Sequence, residues 1–331
     1  MTAVRTDRLD PTALTPPVPW EVERFLQAEV DGRAAGESGR SGVMPVGRPG
    51  KVGVLDVTLD ADARDITGLT SRFVKAPMQL TRPLYVDPSD PGEAFLYVRT
   101  TGGGLAQNDR VRQIVRLEPG ARVTVTTQAA TPVHRMNAGI ASQWVSLYVP
   151  DGAVCEYLPG QSILFAGSRL VQATDAAVEP GGTLLAAEVM LTGRLARGER
   201  DGFDLLSQGF RVERAGRPLL SDTLCVVGAG QGRNEMQLAQ WPVWGTVLVV
   251  PPTPDVVPAL LTTVRELLAQ RCAGDDAEVL TAASSTMVGA AGVTARVAGE
   301  DPVAVRALVD EVHSTARQVM LGRPAVNLRR M

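Results

Sequence analysis

From residue 52 to residue 250 the dominant pattern is alternation of apolar and polar positions, not a helical period. Arg122-Val123-Thr124-Val125-Thr126 and Val145-Ser146-Leu147-Tyr148-Val149 each present apolar residues on one face of an extended chain, the pattern of half-buried strands. A recurrence underlies this alternation. Leu117-Glu118-Pro119-Gly120-Ala121, Val149-Pro150-Asp151-Gly152-Ala153 and Val178-Glu179-Pro180-Gly181-Gly182 are one turn written three times, and Arg214-Ala215-Gly216-Arg217-Pro218 is a weaker fourth copy. The turn glycines 120, 152, 181 and 216 stand 32, 29 and 35 residues apart. A period near 30 built from strand–turn–strand units predicts a mainly β, solenoid-like stack in which each rung covers its neighbour's apolar face. A sandwich of meandering hairpins fits the same periodicity.

The last eighty residues change period. Val257, Leu260, Leu261, Val264, Leu267 and Leu268 follow helical spacing, with Asp255 as the expected N-cap and Gly274 as the stop. A second helix is predicted to open at Asp301-Pro302, a capping side chain followed by Pro at the first helical position. It runs through Val305, Leu308, Val309, Val312, Ala316 and Val319 to Gly322. Between the two, residues 279–297 return to short strands. The expectation is a β body over 51–250 and a helix-containing part over 251–331, forming one domain with the two helices covering one end.

Residues 1–50 differ. They are rich in Pro, Gly, Ser, Thr and Arg, and such a segment buries too little apolar surface to offset its ordering entropy. The exception is 20–30, where Trp20, Phe25, Leu26 and Val30 could share one face of a short helix lying on the main body, or of a partner-binding segment that folds on contact.

The remaining composition narrows the function. The chain has 331 residues, 44% of them apolar and only 4% aromatic, with a net charge of −3. That balance excludes nucleic-acid binding by bulk positive charge. No apolar run approaches the ~18 residues needed to span a bilayer, so no membrane partner is expected. The first nineteen residues lack the apolar core of a secretory signal. Cys155, Cys225 and Cys272 are too few and too dispersed for a disulfide framework, and they read as small buried hydrophobes in a reduced, cytoplasmic protein.

Familiar catalytic motifs fail. Gly228-Ala229-Gly230 opens like a dinucleotide turn, but Arg233 stands where the third glycine belongs, and Trp241-Pro242-Val243-Trp244 does not read as a helix. A phosphate-cradling GxxxxGK[ST] loop is missing. The two histidines, His134 and His313, are far apart in sequence, and no HxH, HExxH or CxxC occurs, which disfavours a resident zinc or iron site. What stands out is a pair of carboxylates in apolar company. Glu156 shares a strand face with Val154 and Leu158, and Glu188 with Ala186 and Met190. They are 32 residues apart, one repeat, so stacked rungs would set them in register. These faces read equally as the solvent side carrying stray apolar residues; facing inward without cationic partners, the two acids would instead require a hydrated interior, and so a path for a cation.

Between residues 101 and 143 the chain resembles a known family. Gly102-Gly103-Gly104-Leu105-Ala106-Gln107-Asn108-Asp109-Arg110, Thr126-Thr127-Gln128-Ala129-Ala130-Thr131, Arg135-Met136 and Ala141-Ser142-Gln143 resemble the UreD/UreH-type urease accessory proteins. Arg82-Pro83-Leu84-Tyr85, Glu156-Tyr157-Leu158-Pro159, Ile163-Leu164-Phe165, Gly193-Arg194-Leu195-Ala196-Arg197-Gly198-Glu199 and Leu321-Gly322-Arg323-Pro324-Ala325 continue the match in order. Asn108, Pro132 and His134 depart from the family pattern. The resemblance implies a β-helical scaffold without catalytic residues or a bound cofactor. It would join a helical accessory protein of the UreF type, and through it a GTPase of the UreG type, to apo-urease, where Ni²⁺ is inserted and the bridging lysine carbamylated. It further implies that Gly103, Gly104, Asp109, Thr127, Gln128, Arg135, Gly193, Arg194 and Glu199 build the docking surface or the turns behind it. Glu156 and Glu188 would then be weak oxygen ligands on a nickel route, since a tightly held ion would not leave. A β-helical carbohydrate-processing enzyme and an iron–sulfur assembly scaffold are the competing readings. The first lacks a face of exposed acids and aromatics, and the second lacks cysteines.

Overall fold

The computed structural model describes residues 14–26, 50–228, 241–273 and 280–328. Seven strands form one sheet: β1 (Val52–Ala61), β2 (Thr67–Lys75), β5 (Arg110–Leu117), β8 (Ala141–Val149), β11 (Arg169–Val178), β13 (Leu205–Arg214) and β14 (Arg217–Val227). The second sheet has ten: β3 (Met78–Leu80), β4 (Ala94–Thr100), β6 (Arg122–Thr127), β7 (Thr131–Val133), β9 (Val154–Leu158), β10 (Ser162–Leu164), β12 (Thr183–Leu191), β15 (Val243–Val250), β16 (Leu280–Thr286) and β17 (Val293–Gly299).

The sheet neighbours settle the choice between stack and hairpins. β1, β5, β8, β11 and β13 pair parallel in that order, and so do β4, β6, β9 and β12. Parallel neighbours cannot be joined by hairpins. Instead each repeated turn carries the chain from one sheet to the other, β5 to β6 at Gly120, β8 to β9 at Gly152 and β11 to β12 at Gly181. The result is a β-solenoid of about four turns. All three glycines have positive φ, between 69° and 83°, the region a side chain resists. The fourth turn differs, for Ala215 and Gly216 join β13 to an antiparallel β14, a true hairpin that ends the stack on that sheet. Leu55, Val57, Leu96, Val125, Leu147, Leu170, Leu184 and Leu206 fill the space between the sheets.

Of the N-terminal fifty residues, 14–26 and residue 50 are described, and the first of these segments lies on the outer face of the seven-stranded sheet. A short helix, α1 (residues 20–26), buries Val22 against Ile140, Val171 and Leu205. Trp20, expected on the packed face, is 77% exposed, because the helix turns Val22 inward in its place. The expected continuation to Val30, the Gly274 stop and the Gly230–Arg233 stretch lie outside the described residues.

The C-terminal helices are α2 (Val257–Arg271) and α3 (Pro302–Leu321). Asp301 caps α3 by accepting from the amides of Val303 and Ala304 at 3.0 and 3.2 Å, and Gly322 closes it at φ 70°. α2 begins differently from the expectation. Asp255 sits inside a 3-10 turn at Pro254–Val256 and does not cap the helix. The helices cover a face and not an end. Val257, Leu260, Val264, Val305, Val309, Val312 and Ala316 pack on the outer side of the ten-stranded sheet, where they meet Leu185, Val189, Val247, Val249, Val293, Ala295 and Val297.

Candidate functional site

The pairing of β9 with β12 decides the fate of the two carboxylates. Glu156 lies opposite Leu185, so Glu188 is three rows further along and beyond the last β9 partner. Three is odd, and alternate residues of a strand face opposite ways. The expected register is therefore corrected, and the two acids lie on opposite faces of the sheet.

Glu156 points outward, beneath α3. It accepts from His313 Nε2 at 2.6 Å and from Arg317 Nε at 2.7 Å. Arg317, 1% exposed, also donates to Asp87 at 3.0 Å, to Glu93, and to the Pro324 carbonyl at 2.7 Å. Burial pushes the Glu156 carboxyl up, but His313 and Arg317 outweigh it and hold the group below its usual range. Glu93 goes the other way, raised to about 7 by burial and by the neighbouring Glu156 charge. This is a buried ion cluster that fastens α3 to the sheet, and Glu156 has no access to the space between the sheets.

Glu188 does face that space. Thr174 Oγ1 donates to it at 2.6 Å, Gln208 Nε2 at 3.1 Å, and Gln172 Nε2 donates as well, all three from the opposite sheet. None of these partners is cationic. Burial raises the Glu188 carboxyl, and the three donors oppose that shift. Two of the donors belong to a ladder absent from the expectations above. Gln143, Gln172 and Gln208 lie directly beside one another on β8, β11 and β13. Their spacing of 29 and 36 residues follows that of the turn glycines, so the repeat period carried the signal. The Gln172 side-chain oxygen is buried and meets no donor among the described residues. A buried carboxylate with only neutral donors, beside an unpaired amide oxygen, is chemically suited to water or a cation.

A cavity of about 290 Å³ connects Glu188 to the family-like motifs. Gly103, Gly104, Thr127 and Gln128 line it, together with Gln143, Gln172 and Glu188. Thr127 Oγ1 donates to the Ala129 carbonyl at 2.9 Å and accepts from the Gly160 amide at 2.8 Å, which ties two rim loops together. A Cβ on Gly104 would stand 2.1 Å from the Pro132 carbonyl oxygen, whereas one on Gly103 meets nothing within 4 Å. Asp109 fastens the turn behind them, accepting from the amides of Lys51 at 2.8 Å, Ala106 at 2.9 Å and Gly50 at 3.1 Å. Asn108 adopts φ 62°, the left-handed conformation asparagine tolerates. His134, another departure from the family pattern, donates from Nε2 to the Gly103 carbonyl at 2.9 Å and packs edge-on against Phe165.

The remaining motif residues lie elsewhere. Arg135 lines a shallow surface pocket with Gly167, Arg169 and Asp204. Arg194 pairs with Glu199 and stacks over Phe165, while Glu199 accepts from the Ala166 amide at 3.1 Å. Gly193 leaves room for the returning Glu199 carbonyl, 2.2 Å from where a Cβ would sit. Gly193, Arg194 and Glu199 thus build a loop clasp away from the cavity. Burial raises the thiols of Cys155, Cys225 and Cys272, which keeps them protonated and poor nucleophiles. Among the described residues no group of three or more His, Cys, Asp or Glu side chains could hold a metal, and no helix is long and apolar enough to cross a membrane.

Comparison with known proteins adds independent findings. The profile of the family described as UreD urease accessory protein matches residues 51–331. The chain is 36% identical over 285 residues to urease accessory protein UreD 2 of Streptomyces griseus, covering 86% of this chain and 95% of that protein. It is 28% identical over 291 residues to urease accessory protein UreD of Cenarchaeum symbiosum, covering 87% and 99%. With urease accessory protein UreD of Mycolicibacterium gilvum the identity is 31% over 280 residues, covering 84% and 98%.

Proposed function

The chain belongs to the UreD urease accessory protein family, and from that premise we propose that it is a non-enzymatic scaffold for urease maturation in the cytoplasm. It joins a helical accessory protein of the UreF type, and through it a GTPase of the UreG type, to apo-urease. Ni²⁺ is its cargo and travels between the two sheets past Glu188. The observation that carries this reading is the setting of Glu188, a buried carboxylate whose hydrogen-bond partners are all neutral, at the inner end of a cavity rimmed by Gly103, Gly104, Thr127 and Gln128. Oxygen donors of this kind hold Ni²⁺ more weakly than a closed set of thiolates or imidazoles, which suits transit over storage. Glu156, engaged by His313 and Arg317, is no part of the route.

The test is urease activation at limiting Ni²⁺ with the full set of accessory proteins. Glu188→Gln keeps the volume and removes the charge, and it lowers the nickel bound per urease active site while complex assembly is unchanged. Nickel content equal to that of the parent protein would refute the route.

A further inference from the structure

Glu188 lines one cavity, and its neighbours Gln208 and Thr246 line another. The second, about 330 Å³, lies in the seam where β13 and β14 face β15, β16 and β17, and its lining includes Gln208, Asp222, Trp244, Thr246 and Arg296. Gln208 belongs to both sides. Its Nε2 donates to Glu188 at 3.1 Å, and its Oε1 accepts from the Trp244 indole at 3.1 Å. The strand register continues the polar path. Glu188 lies opposite Thr246, and Thr246 opposite Arg296, so the three occupy one row across β12, β15 and β17. At the ordinary strand spacing, that row spans about 10 Å. Its outer member, Arg296, has a side chain 59% exposed and pairs with Asp222 of the other sheet.

We propose that the Gln208–Trp244 hydrogen bond, backed by the Asp222–Arg296 ion pair, is a gate that closes the Glu188 chamber toward this seam. The inference rests on the proposed cation route and adds its control. Trp244 pins the Gln208 amide so that its N–H faces the carboxylate, the orientation that suits an empty site. A cation at Glu188 repels that N–H and attracts Oε1, the same oxygen the indole holds. Cation and Trp244 therefore compete for one atom, and the gate opens when the cation wins. Outside it, the Arg296 charge opposes cations at the mouth, and Asp222 offsets that charge while fastening the two sheets together.

The gate is testable without nickel. Gln143→Cys places a thiol in the chamber that holds Glu188, in a full-length background carrying Cys225→Ser and Cys272→Ser, with Cys155 left in the core. Its reaction with a cationic methanethiosulfonate reagent reports access. Adding Trp244→Phe keeps an aromatic ring and removes the donor, and the rate rises about fivefold, the factor expected from losing one net hydrogen bond. Adding Arg296→Gln raises the rate for the cationic reagent more than for a neutral one of equal size. A thiol at Ser162, on the rim of that chamber, reacts at an unchanged rate in both variants. Rates at position 143 that stay at the parent value in both folded variants would overturn the gate. Failure of Glu188→Gln to lower nickel loading would instead overturn the route, so the two results are separable.

Discussion

Replacing Arg317 with methionine removes the guanidinium that bridges all three of Asp87, Glu93 and Glu156 under α3, and leaves Arg323 3.9 Å from Asp87 and 3.5 Å from Glu93. Methionine fills most of the volume, so the effect is electrostatic. Glu93, at about 7, already gives up its charge readily near neutrality. The cost falls on Glu156 and Asp87, whose ordinary values are 4.5 and 3.8. Neutralising a glutamate of that value at pH 7 costs about 3.4 kcal/mol, and the aspartate about 4.4 kcal/mol, at about 1.36 kcal/mol per pKa unit. His313 still faces Glu156, and Ser89 and the Arg323 cation still face Asp87, so neither bears the full amount. The expected loss is about 3–5 kcal/mol, the range for a broken buried ion pair. The sign with pH follows. In the variant these carboxyls are raised in the folded state, which then binds more protons than the unfolded state, so its stability falls as pH rises from 5 to 7. In the parent they are held low, and their contribution is lost only as pH falls below their ordinary values. At pH 5 the neutralisation costs shrink to about 0.7 and 1.6 kcal/mol, and the difference between variant and parent narrows to about 1 kcal/mol. Urea unfolding of both proteins at pH 5, 6 and 7 measures this directly. A difference below about 1 kcal/mol at pH 7, or one that does not shrink toward pH 5, would show that the cluster does not carry the charge burden described.

Gly104→Val forces a Cβ against the Pro132 carbonyl at a φ of 120° and sharply reduces soluble yield, whereas Gly103→Ala, which meets open space, costs about 1 kcal/mol from its positive φ alone; expression and thermal melting distinguish them. Val22→Asp detaches the N-terminal strap by placing a charge against Ile140, Val171 and Leu205. Hydrogen exchange should then show lost protection in residues 20–26 and unchanged protection in β5, β8 and β11, and exchange that spreads into those strands would mean that the strap is part of the solenoid's core.

The rungs were legible in the chain before any folding. Alternation, the repeated turn glycines and the Asp301-Pro302 cap are local features, each set by the conformations its own residues allow, and they led to a repeating β body and to α3, while the choice between a stack and a hairpin sandwich waited on which strands pair. The ordered motifs from Gly102 to Gln143 also pointed to the family. What each buried acid does was settled only by folding. Glu156 and Glu188 look equivalent at a spacing of 32, but the rungs pair at an offset of 29, Glu156 with Leu185, and the odd remainder of three turns the two side chains to opposite faces. That offset depends on loop lengths and on which strand lies beside which, and neither is written in any local pattern. For the same reason His313 and Arg317, 157 and 161 residues from Glu156, could not be assigned to it in advance. The glutamine ladder lay between these cases. Its period was visible in the spacing, but only the parallel pairing of β8, β11 and β13 sets the three amides side by side, with Gln172 and Gln208 reaching Glu188 across the interior.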